Sequence, residues 1–323
     1  MTIGERTDSP SNDRDECETD DDGPKNESLL RERYLRDGFI GPIDVLGPPE
    51  ARKALRAFQR WASASFADGR VVGDARFKPH LYVAFCNDLV HHPRLVHLVQ
   101  NLLQTRNVLL WSCDFNIKYP QTESWFPPHQ DSTYAGLYPP DQVLTVWLAL
   151  SEVVSDHEGC LSFWKESHRK GQLAHTEQTD DATNMLSRRQ RLAPQDDIET
   201  TASIASSERV SIPLRGGQAT VHNFYTIHQS AQNRSVLPRI GLAMRYMAAS
   251  VKQRGPVRES VTLVSGELVH DGFDLEPILP QNPTQADIER GKQAHADAMQ
   301  REAQNYFQGT DQTQYDKRTA SIP

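Results

Sequence analysis

Apolar residues recur at helical spacing through the first third of this chain and at alternate positions after Val108. No other feature constrains the fold as strongly as this change of period. Ala51, Leu55, Phe58 and Ala62 follow Pro48-Pro49 and share one helical face, and Leu95, Leu98, Val99 and Leu102 do the same after Pro93. A shorter helix is expected over 27–36, stopped by Asp37-Gly38. Beyond Val108, residues 108–119, 143–150, 209–214, 218–224 and 239–248 have strand character and are divided by turns rich in Gly, Pro and Asn. Helices followed by many short strands predict an α+β, mainly β chain with a strand sandwich or barrel at its centre. Residues 284–307 have the pattern of a terminal amphipathic helix before a polar tail at 311–323.

Residues 29–310 are expected to form a single domain, and hydrophobic residues at 37% are enough for a sizeable core. Residues 1–28 hold ten of the 43 acids and three of the 35 bases, so a tail with net charge −7 accounts for nearly all of the formal charge of −8. Such a segment cannot bury enough apolar area to offset its ordering entropy, and it is expected to be a disordered acidic tail. The near-neutral remainder lacks the basic stripe of a nucleic-acid binder and offers nothing to an anionic membrane surface. The stretch 143–150 is too short to span a bilayer. Cys17, Cys86, Cys113 and Cys160 lie far apart with no CxxC pair, and the N-terminus lacks a secretory pattern. A cytoplasmic protein with reduced thiols is expected. Residues 176–208 contain no aromatic residue and interrupt the strand series, so they are expected to form a polar, lid-like insertion.

The chemistry is concentrated in the middle of the chain. In 127–131 the sequence Pro-Pro-His-Gln-Asp sets His129 and Asp131 two residues apart, so an extended backbone projects an imidazole and a carboxylate to one side. His228 follows near the end of a strand, then Ser230, Asn233 and Arg239. Two imidazoles and one carboxylate on one face of a metal leave three positions open, the arrangement suited to non-haem Fe(II) and dioxygen. A bidentate keto acid fills two of those positions, and a planar guanidinium is the best single partner for its distal carboxylate. Alternation over 239–245 puts Arg239, Gly241, Ala243 and Arg245 on one face, where the small residues leave room for a ligand. Over 143–149, Thr145 and Trp147 share one face and Leu144, Val146 and Leu148 the other; either face suits a core. His222 is a competing candidate for the second imidazole, although its spacing to Arg239 favours His228. His168 and His175 flank the polar insertion as structural or substrate-facing residues.

These motifs in this order, with Glu158-Gly159-Cys160-Leu161, Ser167-His168 and Gly216-Gly217 between them, resemble the phytanoyl-CoA dioxygenase family of Fe(II)/2-oxoglutarate oxygenases over about residues 31–270. The resemblance implies a double-stranded β-helix, the jelly roll, flanked by helices. It implies His129, Asp131 and His228 as iron ligands and Arg239 as partner of 2-oxoglutarate, with Ser230, Trp147, Gln130, Asn116 and Thr145 lining the cosubstrate pocket. Lys165-Glu166-Ser167-His168 departs from the family's usual Pro-Gly-Ser-His.

The expected reaction is hydroxylation of a C–H bond in a small-molecule substrate, using dioxygen and converting 2-oxoglutarate to succinate. A carboxylate at position 131 leaves no obvious halide site and favours oxygenation. Desaturation or cyclisation on the same chemistry is the alternative outcome, and a catalytically silent jelly-roll binding module the alternative class. Tyr134, Trp164, Arg245 and Lys78 are candidate substrate contacts, with Trp125, Phe126, Tyr138 and Arg76 nearby. Natural-product intermediates, amino-acid-like compounds, amines, phosphonates and acyl thioesters all remain open.

Overall fold

The segments with helical spacing form helices in a computed structural model, Pro24–Asp37, Pro48–Ser65 and Pro93–Leu103, and Gln285–Gln308 closes the domain. The structure describes residues 24–177, 181–186, 189–195 and 198–308. The first helix begins at Pro24, so the last five residues of the expected tail are helical; Glu27 is anchored to His97 at 2.6 Å and accepts from Asn101 at 3.2 Å. Residues 1–23 and 309–323, the remainder of the two expected tails, lie outside the described residues.

The alternating segments build two main sheets. The larger sheet contains β1 (Phe39–Asp44), β2 (Val108–Lys118), β4 (Val143–Ala149), β7 (Gln218–Asn223), β9 (Arg239–Ala248), β10 (Ser260–Ser265) and β11 (Asp274–Leu275). Their order is β1-β7-β4-β9-β2-β10-β11, antiparallel except for the last pair. The smaller sheet contains β3 (Phe126–His129), β5 (Leu161–Trp164), β6 (Arg209–Ile212) and β8 (His228–Ser230), in the order β6-β5-β8-β3. Two facing antiparallel sheets with helices packed outside form the expected jelly-roll core.

Both faces of β4 are buried, and they do different work. Leu144, Val146 and Leu148 pack with Leu242, Met244 and Tyr246 against Phe58, Leu95, Val99 and Leu102 of the helices. Each such large apolar side chain contributes about 2 kcal/mol. The opposite face places Trp147, Ala149 and Ala243 against Leu161 and Phe163 of the smaller sheet, which leaves Thr145 and Trp147 on the inside of the roll. Gly38, at φ +85, ends the first helix where a Cβ would lie 2.4 Å from His168 Nδ1; its N–H donates to Tyr34 O.

The polar insertion carries regular structure in its described residues. His175–Glu177 pairs with Gln190–Leu192, and Ile198–Ser206 is helical. The reason is local hydrogen bonding that composition conceals. Trp125 N–H donates to Thr183 O, Met185 N–H to Trp125 O, and the buried Asn184 amide to Gln190 O. Met185 and Leu186 thereby reach an inner cavity beside Phe126.

Candidate active site

Register brings the widely spaced residues together. His228 pairs directly with His129 across the smaller sheet, and the ligand atoms of His129, Asp131 and His228 lie within 4.8 Å of one another, all three residues buried. Asp131 Oδ1 is 3.6 Å from His129 Nε2 and 3.7 Å from His228 Nε2. Each imidazole engages a backbone carbonyl two residues back, His129 Nδ1 with Pro127 O at 2.7 Å and His228 Nδ1 with Thr226 O at 3.0 Å. A proton on each Nδ1 leaves both Nε2 lone pairs aimed at Asp131 Oδ1, the tautomer a metal requires. Burial, together with His129 and His222 nearby, pushes His228 well below its usual value and keeps it neutral.

Asp131 is held from its other side. Its Oδ2 accepts from Thr145 Oγ1 at 2.6 Å and lies 3.4 Å from Arg245 Nε and 3.6 Å from His222 Nε2. Burial alone would raise its pKa, but Arg245 and the surrounding imidazoles hold it well below the usual carboxylate range. The carboxylate is therefore charged, with one oxygen restrained by the protein and the other directed at the two histidines. His222 belongs to this restraint and lies outside the triad.

The inner faces of β2 and β9 carry the second half of the site. Arg239 is opposite Lys118, Gly241 opposite Asn116, and Ala243 opposite Asp114. Arg239 is 0% exposed, its three guanidinium nitrogens have no hydrogen-bond partner among the described residues, and its Cζ lies 4.4 Å from the Trp147 ring centroid. Burial lowers its pKa to about 9. Trp147 Nε1 donates to Asn116 Oδ1 at 3.2 Å, fixing the indole. A Cβ on Gly241 would lie 1.8 Å from Trp147 Cζ2, so the glycine is required for the indole to lie flat on β9. A desolvated guanidinium with no protein acceptor fits a bound carboxylate. The His₂Asp set with fixed tautomers fits a divalent metal, so these residues suit both groups that the sequence implies.

Sequence reasoning missed Lys118. Its buried amino group, which burial and the nearby Arg239 push well below the usual lysine range, donates to Ser230 O at 2.8 Å, to Ser230 Oγ at 2.5 Å and to Ala231 O. Ser230 Oγ thus accepts from lysine and keeps its own proton to donate. Alternation from Asn116 was the signal, since it places Lys118 on the same face.

Other expected contacts are placed differently. Thr145 is committed to Asp131, where the sequence suggested the cosubstrate pocket. Gln130 points away from the triad: its amide nitrogen donates to Gly171 O and Tyr225 O, and its Oε1 accepts from Leu173 N–H. Gln130 N–H donates to His175 Nε2 at 3.1 Å, so these two residues fix the backbone between the ligands. Burial lowers His175 to about 4, which keeps that acceptor free. Lys78 is excluded from substrate contact, because its buried ammonium is spent on Glu276 at 2.6 Å and Ser260 O at 2.8 Å. Arg245 is engaged by Asp114 and Asp131, so a free anion site is not its role. Trp164 lies at the end of β5 with the Arg209 Cζ 5.8 Å from its ring centroid, and Tyr138 is 46% exposed beneath Arg254. The side chain of Tyr134 is outside the described residues.

The model of the phytanoyl-CoA dioxygenase (PhyH) family matches residues 34–241. Phytanoyl-CoA dioxygenase domain-containing protein 1 of Mus musculus is 28% identical over 178 residues, covering 53% of this chain and 55% of that protein. Its Danio rerio counterpart is 27% identical over 156 residues, 48% and 50% of the two chains. The matched region thus spans about half the length of these curated relatives. Among solved structures, the non-heme monooxygenase ThoJ in its apo form is similar with a TM-score of 0.70 and 26% identity, over 86% of this chain and 98% of that one. The epimerase SnoN, in complex with Fe3+, alpha-ketoglutarate and nogalamycin RO, shares the fold with a TM-score of 0.56 and 24% identity, over 72% and 87%.

Proposed function

The chain belongs to the phytanoyl-CoA dioxygenase family, and on that premise we propose that it is an Fe(II)/2-oxoglutarate-dependent dioxygenase that hydroxylates a C–H bond of a small-molecule metabolite. The observation that carries this reading is the pairing of a buried His₂Asp triad with a buried, partnerless Arg239 between the same two sheets. A jelly roll with a purely structural role would have no reason to keep either.

In this reading His129 Nε2, Asp131 Oδ1 and His228 Nε2 hold iron, and Arg239 takes the distal carboxylate of 2-oxoglutarate. When bound, iron with 2-oxoglutarate and dioxygen supplies the oxidising power, so that one oxygen atom enters the substrate C–H bond and the other enters succinate as carbon dioxide leaves. The protein's residues supply order. Ser230, fixed as an acceptor by Lys118, offers its hydroxyl proton to the same carboxylate. Trp147, held flat by Asn116, covers the guanidinium and excludes water that would weaken the ion pair. Thr145, Arg245 and His222 prevent Asp131 from rotating and presenting both oxygens to the metal.

Anaerobic addition of Fe(II) and 2-oxoglutarate should give a weak visible charge-transfer band. Its absence from folded protein would favour the silent binding module. Asp131→Ala should abolish succinate formation, and undiminished turnover would remove Asp131 from the ligand set. A metabolite screen scored by stimulated succinate release, with mass spectrometry for one gained oxygen, separates hydroxylation from desaturation or cyclisation, which add none.

A further inference from the structure

Beside the triad lies a narrow cavity of about 60 Å³, room for a small polar headgroup. Two of its walls also line the site just described. Phe126 has its ring centroid 6.4 Å from that of His129, and Arg245 Nε is 3.4 Å from Asp131 Oδ2. Four charged residues face the cavity: Arg76, Asp114, Arg245 and Glu302. Asp114 and Arg245 neutralise each other in a buried ion pair that also reaches Asp131.

Arg76 and Glu302 are different. Arg76 comes from the short turn Gly73–Arg76 and Glu302 from the last helix, Gln285–Gln308. They line the same space with opposite charge yet form no ion pair with each other. Arg76 Nε is buried without a hydrogen-bond partner, and its Cζ lies 5.3 Å from the Phe77 ring centroid. Neither residue has an ion pair among the described residues, and Lys78, the next ammonium in the chain, is spent on Glu276. Leaving two opposite charges partly desolvated and apart costs free energy that a ligand carrying the complementary pair would relieve.

We propose that this cavity takes the headgroup of a free α-amino acid, with its ammonium on Glu302 and its carboxylate on Arg76. The inference rests on the dioxygenase reading and gives that reading a substrate class. A simple amine would leave Arg76 unmet, and a simple acid would leave Glu302 unmet; a zwitterion answers both. A headgroup fixed here lies beside Phe126, the wall residue whose ring neighbours that of His129. Burial, reinforced by Asp114, raises the Glu302 carboxyl to about 7, and an ammonium placed beside it would return it to the charged form.

The test uses the full chain with Fe(II) and 2-oxoglutarate under anaerobic conditions. The probes are the proteinogenic L-amino acids, each beside its deamino acid and its decarboxylated amine. Binding is followed by perturbation of the visible band and by calorimetry. At least one amino acid should bind tenfold or more tightly than both of its analogues. Glu302→Gln should remove the preference over the deamino acid, and Arg76→Gln the preference over the amine. Thermal unfolding establishes that both variants fold. The proposal is overturned if no amino acid binds while the band is present, if analogues bind equally well, or if both variants keep the wild-type preference. Loss of the band in wild type would instead overturn the dioxygenase reading, and this inference with it.

Discussion

Replacing Arg239 with Met should make the protein harder to unfold and far worse at binding 2-oxoglutarate. The guanidinium is 0% exposed with no protein acceptor, and burial brings its pKa from the ordinary 12.5 to about 9. At ~1.4 kcal/mol per pH unit that gap corresponds to a folding penalty of about 5 kcal/mol. Contact with the Trp147 ring offsets roughly 1–2 kcal/mol of it. The sign follows from proton linkage. At pH 7 the group is charged whether folded or unfolded, so the penalty is fully present, and it fades only as pH rises through about 9 toward 12.5. Met has similar length and no charge, so Arg239→Met should gain ~3 kcal/mol, or roughly 4–5 °C in Tm for a chain of this size. The same change removes two charge-assisted hydrogen bonds to the cosubstrate, worth ~3 kcal/mol, and should raise the Kd for 2-oxoglutarate roughly 100-fold. Thermal unfolding with and without 2-oxoglutarate, alongside titration of the visible band, measures both effects. A variant that melts lower than wild type, or that binds 2-oxoglutarate as before, would refute the argument.

Thr145→Val removes the 2.6 Å hydrogen bond that restrains Asp131 Oδ2. Anaerobic titration should show Fe(II) affinity reduced about 10- to 100-fold with the fold retained. Gly241→Ala places a methyl group 1.8 Å from Trp147 Cζ2; displacing the indole should cost roughly 1–3 kcal/mol of stability and weaken 2-oxoglutarate binding by calorimetry. Lys78→Met strands Glu276 in the interior and should cost about 3–5 kcal/mol in denaturant unfolding, with the visible band still formed by the folded fraction. Burial alone would raise Glu276, but Lys78 and His80 hold it below the ordinary carboxylate range. Wild-type stability should therefore fall as pH drops below about 4.5, and more steeply than that of the variant.

Strand alternation made the inner face of the roll legible from the sequence. Thr145, Trp147, Arg239 and Gly241 were placed on common faces because a pleated strand permits only two sides. It did not reveal which inner side chains would meet each other. Thr145 and Trp147 both face inward, yet register opposite Arg245 and Ala243 gives the first to Asp131 and the second to Arg239. Gln130 was misassigned because its neighbours at 129 and 131 are both candidate ligands, whereas alternation turns it to the opposite side, where backbone groups of 171, 173 and 225 occupy it. Lys78 resembled a free cation because its partner, Glu276, lies 198 residues away. The regular structure in the described part of residues 176–208 was hidden for the same kind of reason, since it is built partly from backbone pairing with Trp125 and not from apolar periodicity.

The matched family segment ends at residue 241, just past Arg239. All three candidate iron ligands and the candidate cosubstrate arginine lie inside it, as does Thr145. Arg245, which restrains Asp131 through the cavity wall, and Glu302, which faces the cavity from the last helix, both lie outside. The part of the chain that the family describes therefore coincides with the part that would perform the oxidation. Of the two charged groups proposed to meet the substrate, Arg76 lies inside the matched segment and Glu302 on the helix beyond it. Membership in the family accordingly informs the reaction, whereas the proposed substrate contacts, Arg76 and Glu302, line one cavity and are connected by neither spacing nor motif.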